Sequence, residues 1–132
     1  MDQVNVHVEA EVWPTEDEAK VKTAFTNLFN SLTVAVEAEG NGRVLRADAS
    51  GQDCLVKFRN LLRNDRIRDA ARKALFRSIR GNTIGFCLNK QVAFAGHVSF
   101  CAETAESPLG PIRVTITSDS PRQLVEWVAE KT

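Results

Sequence analysis

The stretch GFCLNKQVAFAGHVSF, Gly85 to Phe100, decides how the chain folds. Two apolar runs are interrupted by a polar tetrad, Leu88-Asn89-Lys90-Gln91. Read as a hairpin with a two-residue turn at Asn89-Lys90, it scatters its large apolar residues over both faces. One more loop residue sets Leu88 opposite Val92 and Phe86 opposite Phe94, and gathers the large apolar side chains on one face. A one-residue slip exchanges the faces of a strand, so the hydrophobic pattern selects the longer loop, Asn89-Lys90-Gln91. Gly85, Cys87, Ala93, Ala95, His97 and Ser99 then line the opposite, flat face. Lys90 is expected at the hairpin tip, and His97 on the outer sheet face.

Working outward, Val4, Val6, Val8, Ala10 and Val12 alternate with polar residues and predict a half-buried strand that ends at Pro14. Thr15 and Glu18 have capping-box spacing, which predicts a helix over Glu16 to Phe29. Leu32, Val34 and Val36 predict a second strand. Gly40-Asn41-Gly42 then turns it into a third, Arg43 to Ala47.

Ser50 to Arg80 is helical in composition and contains no proline. At about 100° per residue, Leu55, Phe58 and Leu62 share one side and Ile67, Ala71, Ala74 and Ser78 another. One straight helix cannot bury both. A break near Arg63-Asn64-Asp65-Arg66 follows, with Asn64 or Asp65 capping the second half. Arg80-Gly81-Asn82 reads as the helix stop. Ser107-Pro108-Leu109-Gly110-Pro111 reads as a rigid turn. Ile112, Val114 and Ile116 predict a strand, and Ser120-Pro121 with Gln123 opens a last helix carrying Leu124, Trp127 and Val128 inward.

The predicted order is β-α-β-β-α(α)-β-β-β-α over residues 1–132, a single domain. It describes a two-layer α+β fold: a predominantly antiparallel sheet with helices packed on one face.

The 132 residues carry no net charge and no run of eighteen apolar residues. A membrane span is not expected, the first residues do not read as a signal peptide, and the expected compartment is the cytoplasm. Cys54, Cys87 and Cys101 are odd in number without a Cys-x-x-Cys pair, and read as reduced, mostly buried small hydrophobes. The histidines His7 and His97 lack metal-ligand spacing to each other or to a cysteine, so neither metal nor cofactor is expected. No nucleophile elbow is present, and the strand carboxylates Glu9, Glu11, Glu37 and Glu39 should be solvated, so catalytic residues are not expected either.

Charge is unevenly placed. Met1 to Asp53 has a net charge of −6, Cys54 to Arg80 of +7 and Gly81 to Thr132 of −1. Arginine outnumbers lysine seven to two in the basic segment, which suits phosphate recognition. Arg66, Arg68, Arg72, Lys73, Arg77 and Arg80 occupy an outward arc that also contains Phe76. An aromatic among arginines suits stacking on a nucleobase. The plainer alternative is a solvated face with Phe76 tucked under a neighbouring segment. The candidate RNA-binding residues are therefore Arg66, Arg72, Lys73, Phe76, Arg77 and Arg80, with Lys90 at the hairpin tip.

The blocks RIRDAARKAL (Arg66 to Leu75), GNTIGFCLNKQVAFAG (Gly81 to Gly96), ESPLGPI (Glu106 to Ile112) and EWVAEKT (Glu126 to Thr132), with the start Trp13-Pro14-Thr15-Glu16-Asp17, resemble a small archaeal family of uncharacterised proteins classed as RNA-binding. The resemblance runs from end to end. It implies a fold similar to ribosomal protein L-five, the large-subunit protein that holds the small ribosomal RNA, and it implies no catalytic residues. Two functions are expected: a non-enzymatic RNA-binding module using the basic helix, or a homodimeric scaffold. The scaffold would use the small-residue face of Ala93, Ala95 and His97, or set the basic helix against the acidic N-terminal region of a second copy.

Overall fold

The computed structural model describes residues 3–40, 42–101 and 110–131. Its centre is β1, Val4–Val12, whose alternation buries Val4, Val6, Val8, Ala10 and Val12 on one side. β2 (Thr33–Glu39) and β3 (Gly42–Ser50) form the predicted hairpin, with Glu39 facing Gly42. Asn41, at the turn, lies outside the described residues. Gly42 is fixed by close approach: a Cβ there would lie 2.9 Å from the Val12 carbonyl oxygen. β4 (Ile79–Arg80), β5 (Thr83–Leu88), β6 (Phe100–Cys101) and β7 (Ile112–Ser118) complete a seven-stranded antiparallel sheet, not closed into a barrel. The order is β2-β3-β1-β7-β5-β4, with β6 also on β5.

Helices cover the buried face. α1 (Glu18–Leu28) turns Val21, Ala24, Phe25 and Leu28 inward, and α2 (Val56–Asn64) buries Phe58 and Leu62. α3 (Arg68–Arg77) buries Ala71 and Leu75, and α5 (Pro121–Val128) buries Leu124, Val125 and Val128. Ring contacts run from helix to sheet edge through Phe29, Phe58, Phe86 and Phe100, with successive centroids 5.4, 5.7 and 5.6 Å apart. The α+β class, the antiparallel sheet and the helical layer are as the sequence predicts.

The helical break falls where two incompatible apolar faces require it, but its device differs from the expected cap. α2 closes in a Schellman motif: Ile67 N donates to Leu62 O at 3.1 Å and Arg66 N to Arg63 O at 3.2 Å. Arg66 takes the left-handed position, φ 58°, usually given to glycine. Asp65 does not cap α3. Its carboxylate accepts from Val98 N at 3.1 Å and lies 2.9 Å from His97 Nδ1. Arg80-Gly81-Asn82 is not a helix stop either: Arg80 faces Thr83 across a two-residue turn with Gly81 at φ 61°.

α1 is capped by Asp17, which accepts from Ala19 N at 2.9 Å, in place of Thr15. Ser120 stands at the start of α5, as expected, but its side chain makes no capping bond. Of the expected turn over 107–111, residues 107–109 lie outside the described residues.

The hairpin expected at Asn89-Lys90-Gln91 is not formed. Asn89 caps a short helix, α4 (Lys90–Phe94), accepting from Val92 N at 3.0 Å. Asn27 Nδ2 of α1 holds that helix by its Ala93 and Phe94 carbonyls, each at 3.1 Å. Leu88 faces Ile112 and Phe100 rather than Val92, and Phe86 faces Val114 rather than Phe94. Strand alternation misled because Phe94, assigned to the core face, is exposed. The flat small-residue face is consequently absent. Ala93 is buried in a helix, and His97 sits in the following loop against Asp65, off the sheet.

Candidate nucleic-acid interface

α3 has two sides. Ala71 and Leu75 enter the core, which leaves Lys73 and Arg77 on the outer surface. Phe76, between these sides, is half-buried. α5 packs against α3 and brings Arg122 and Glu126 to the same region.

The Phe76 ring already carries two guanidiniums, Arg72 Cζ at 5.0 Å and Arg122 Cζ at 5.2 Å from its centroid. Cation–π attraction fixes both over one platform. Arg72 is further held by Glu126 through a two-pronged pair, Nη2 to Oε1 at 2.6 Å and Nη1 to Oε2 at 2.7 Å. That planar match is the strong arrangement for an arginine–carboxylate pair. It draws the Glu126 carboxyl below its ordinary 4.5 and raises the Arg72 guanidinium.

A second clamp secures α2 to the end of α5. Arg59 pairs with Glu130, donates from Nε to Trp127 O at 3.0 Å and lies 5.3 Å from the Trp127 ring centroid. Its hydrogen bond likewise lowers the Glu130 carboxyl.

The cations that remain outward converge on a shallow groove of about 530 Å³, lined by Asp69, Arg72, Lys73, Phe76, Arg77 and Lys131. With Arg72 matched to Glu126, Lys73, Arg77 and Lys131 exceed the single carboxylate of Asp69. Arg80 continues the surface beyond α3, its Nη1 donating to Arg77 O and Ile79 O, each at 2.9 Å. Arg66 is exposed at the opposite end of α3, at the junction with α2.

The structure thus brings Arg72, Lys73, Phe76 and Arg77 into one groove, while Arg66 and Arg80 lie exposed beyond the two ends of α3. Lys90 is elsewhere. It is 4% exposed, and its Nζ donates to Glu11 O at 2.8 Å and to the Glu16 carboxylate oxygens at 3.1 and 3.2 Å. The hairpin-tip placement of Lys90 is therefore corrected: it clasps α4 to the end of β1 and the start of α1. Sequence reasoning missed Arg122 and Lys131. The one available signal was the Arg122–Glu126 spacing of four along α5, and it does not say which helix α5 meets. Among the described residues, no group of three His, Cys, Asp or Glu side chains is placed to hold a metal ion. No helix there is long and apolar enough to cross a membrane.

Residues 5–118 match a family model described as RNA binding. A UPF0201 protein of Sulfurisphaera tokodaii is 46% identical over 125 residues, covering 95% of this chain and 86% of the relative. A UPF0201 protein of Sulfolobus acidocaldarius is 46% identical over 127 residues, covering 96% and 88%. Among solved structures, a UPF0201 protein from Methanococcus jannaschii superposes with a TM-score of 0.84 at 31% identity, covering 95% of this chain and 98% of that one.

Proposed function

From the premise that the chain belongs to the archaeal UPF0201 family, matched by a model described as RNA binding, we propose that it binds RNA through the groove between α3 and the C-terminal end of α5. Lys73, Arg77 and Lys131 hold phosphates, and Arg66 and Arg80 extend the contact along the strand. Phe76 is a platform for Arg72 and Arg122 rather than for a base, since those guanidiniums already lie over its ring. Arg122, exposed at the edge of that stack, offers its own plane to a splayed base. The module binds without a chemical step.

The observation that carries this reading is the convergence on one groove of cations from α3 and of Lys131, just beyond α5, after Arg59 and Arg72 have been neutralised by Glu130 and Glu126. Solvated basic helices disperse their charge; this surface keeps an excess at one place. Binding there is dominated by phosphate contacts and tolerant of sequence.

The test is a salt titration of binding to a fluorescent single-stranded RNA. Lys73, Arg77, Lys131, Arg66 and Arg80, at one phosphate each, give a log–log slope of roughly −3.5, at about −0.7 per phosphate. Absent binding, or affinity independent of salt, overturns the proposal.

A further inference from the structure

A second chemistry lies on the other side of α3, at the far sheet edge. Cys87 of β5 stands directly opposite Cys101 of β6. Both are reduced thiols and half-buried. They line one groove of about 480 Å³ together with Ser78, Gly85, Phe100 and Arg113, so a small reagent has access to them.

The ladder sets their spacing. Asn89 N donates to Ser99 O at 2.8 Å. Hydrogen-bonded and non-bonded pairs alternate along antiparallel strands, so Leu88–Phe100 is non-bonded and Cys87–Cys101 is a bonded pair. The Cα atoms of such a pair lie about 5.5 Å apart, inside the range of roughly 4.4–6.8 Å that a disulfide spans. The strands need not part for the bond to close. Side chains of a bonded pair do stand wider than those of a non-bonded one, so the bond carries strain and is readily reduced.

We infer that Cys87 and Cys101 form a reversible dithiol site whose oxidant is a small-molecule disulfide. One thiolate attacks the reagent's S–S bond, giving a mixed disulfide and releasing one reagent thiol. The facing thiolate attacks the protein sulfur of that mixed disulfide, closes the Cys87–Cys101 bond and releases the second reagent thiol. The protein loses two electrons and two protons, and the reagent leaves as two thiols.

Cys54 is the internal control. It is fully buried, its Sγ donates to Gly51 O at 2.9 Å, and burial pushes its thiol up to about 11. A thiol so disposed does not enter exchange.

The experiment incubates the whole folded chain with oxidised glutathione and then counts thiols and measures intact mass. Two of the three thiols should disappear, with loss of two hydrogens and no retained glutathione. A non-reducing peptide map should link Cys87 to Cys101, and dithiothreitol should restore both thiols. In at least one of Cys87→Ser and Cys101→Ser, glutathione should stay on the remaining thiol. A lasting adduct on the unsubstituted chain, a bond to Cys54, chain-to-chain disulfides or no loss of thiols overturns the inference. So does a failure of both serine variants to hold glutathione.

Discussion

Lys90 and the α3 groove present the same side-chain chemistry in opposite settings. Both cations were legible as candidates for an anionic ligand. In the fold, Lys90 is 4% exposed and its ammonium is met by the Glu16 carboxylate and the Glu11 carbonyl. Lys73 and Arg77 lie exposed on α3, facing one groove with Lys131. Whether a basic side chain stays open to an anionic ligand or becomes a structural clasp therefore depends on whether the tertiary fold supplies it with an acid. Lys90 is supplied from 74 positions away. Arg72 is supplied by Glu126 of α5 and Arg59 by Glu130 just beyond it, at separations of 54 and 71.

The comparison breaks most sharply at Lys90. In Lys90→Met the stem still fills space, but the nearly buried Glu16 carboxylate loses its cation. Breaking one side of a buried pair costs about 3–5 kcal/mol. Urea unfolding should show a loss of that size. Glu16→Gln combined with Lys90→Met should recover much of it, because a neutral pair leaves no uncompensated charge. RNA affinity per folded molecule should not change. A stability loss below about 1 kcal/mol, the range of exposed ion pairs, would show that the clasp is solvated and the contrast false.

Local patterns were readable where a single periodicity decided the outcome. The alternation of β1, the Gly40 hairpin and the paired apolar faces of the broken helix all followed from the chain. What was not readable depended on neighbours distant in sequence. Asn89 could close a loop or cap a helix, and the docking of α4 on α1 through Asn27 accompanies the helix. The alternation of Val92, Phe94 and Val98 favoured a strand because nothing local marks Phe94 as exposed. The site was legible as a basic arc but not as a groove. Separating Arg72 from Lys73 required knowing that Glu126 lies across from it, and Arg122 and Lys131 required knowing where α5 packs.

The second test approaches from the groove. In Lys73→Ala/Arg77→Ala, two exposed cations are removed and the Arg72–Glu126 pair stays in place. RNA affinity should fall roughly tenfold or more at physiological salt, with the salt slope shallower by about 1.4, two contacts at about 0.7 each. Unfolding stability should stay within about 0.5 kcal/mol, as for other surface changes. This is the reverse of the Lys90 result. Equal affinity with an unchanged slope would move the RNA surface elsewhere.

The smallest effect sits between the two extremes, at Arg72, which belongs to the groove yet is held by an internal partner. Because the Arg72 hydrogen bond lowers the Glu126 carboxyl below its ordinary 4.5, the pair contributes stability above that pH and loses it as pH falls through the lowered folded-state value. In Glu126→Gln the carboxylate is gone at every pH. The melting-temperature difference between the unsubstituted chain and the variant should therefore be full at pH 7, begin to shrink below about 4.5 and vanish in stronger acid. At pH 7 the same variant releases one cation to the groove, so RNA affinity should rise by a few-fold, with a salt slope steeper by up to about 0.7. A gap constant down to the acid limit would mean that the carboxylate's charge has no part in holding Arg72. A fall in RNA affinity would mean that Glu126 serves the site by positioning Arg72 and Arg122 over Phe76, unlike the Lys90 clasp, whose loss leaves affinity unchanged.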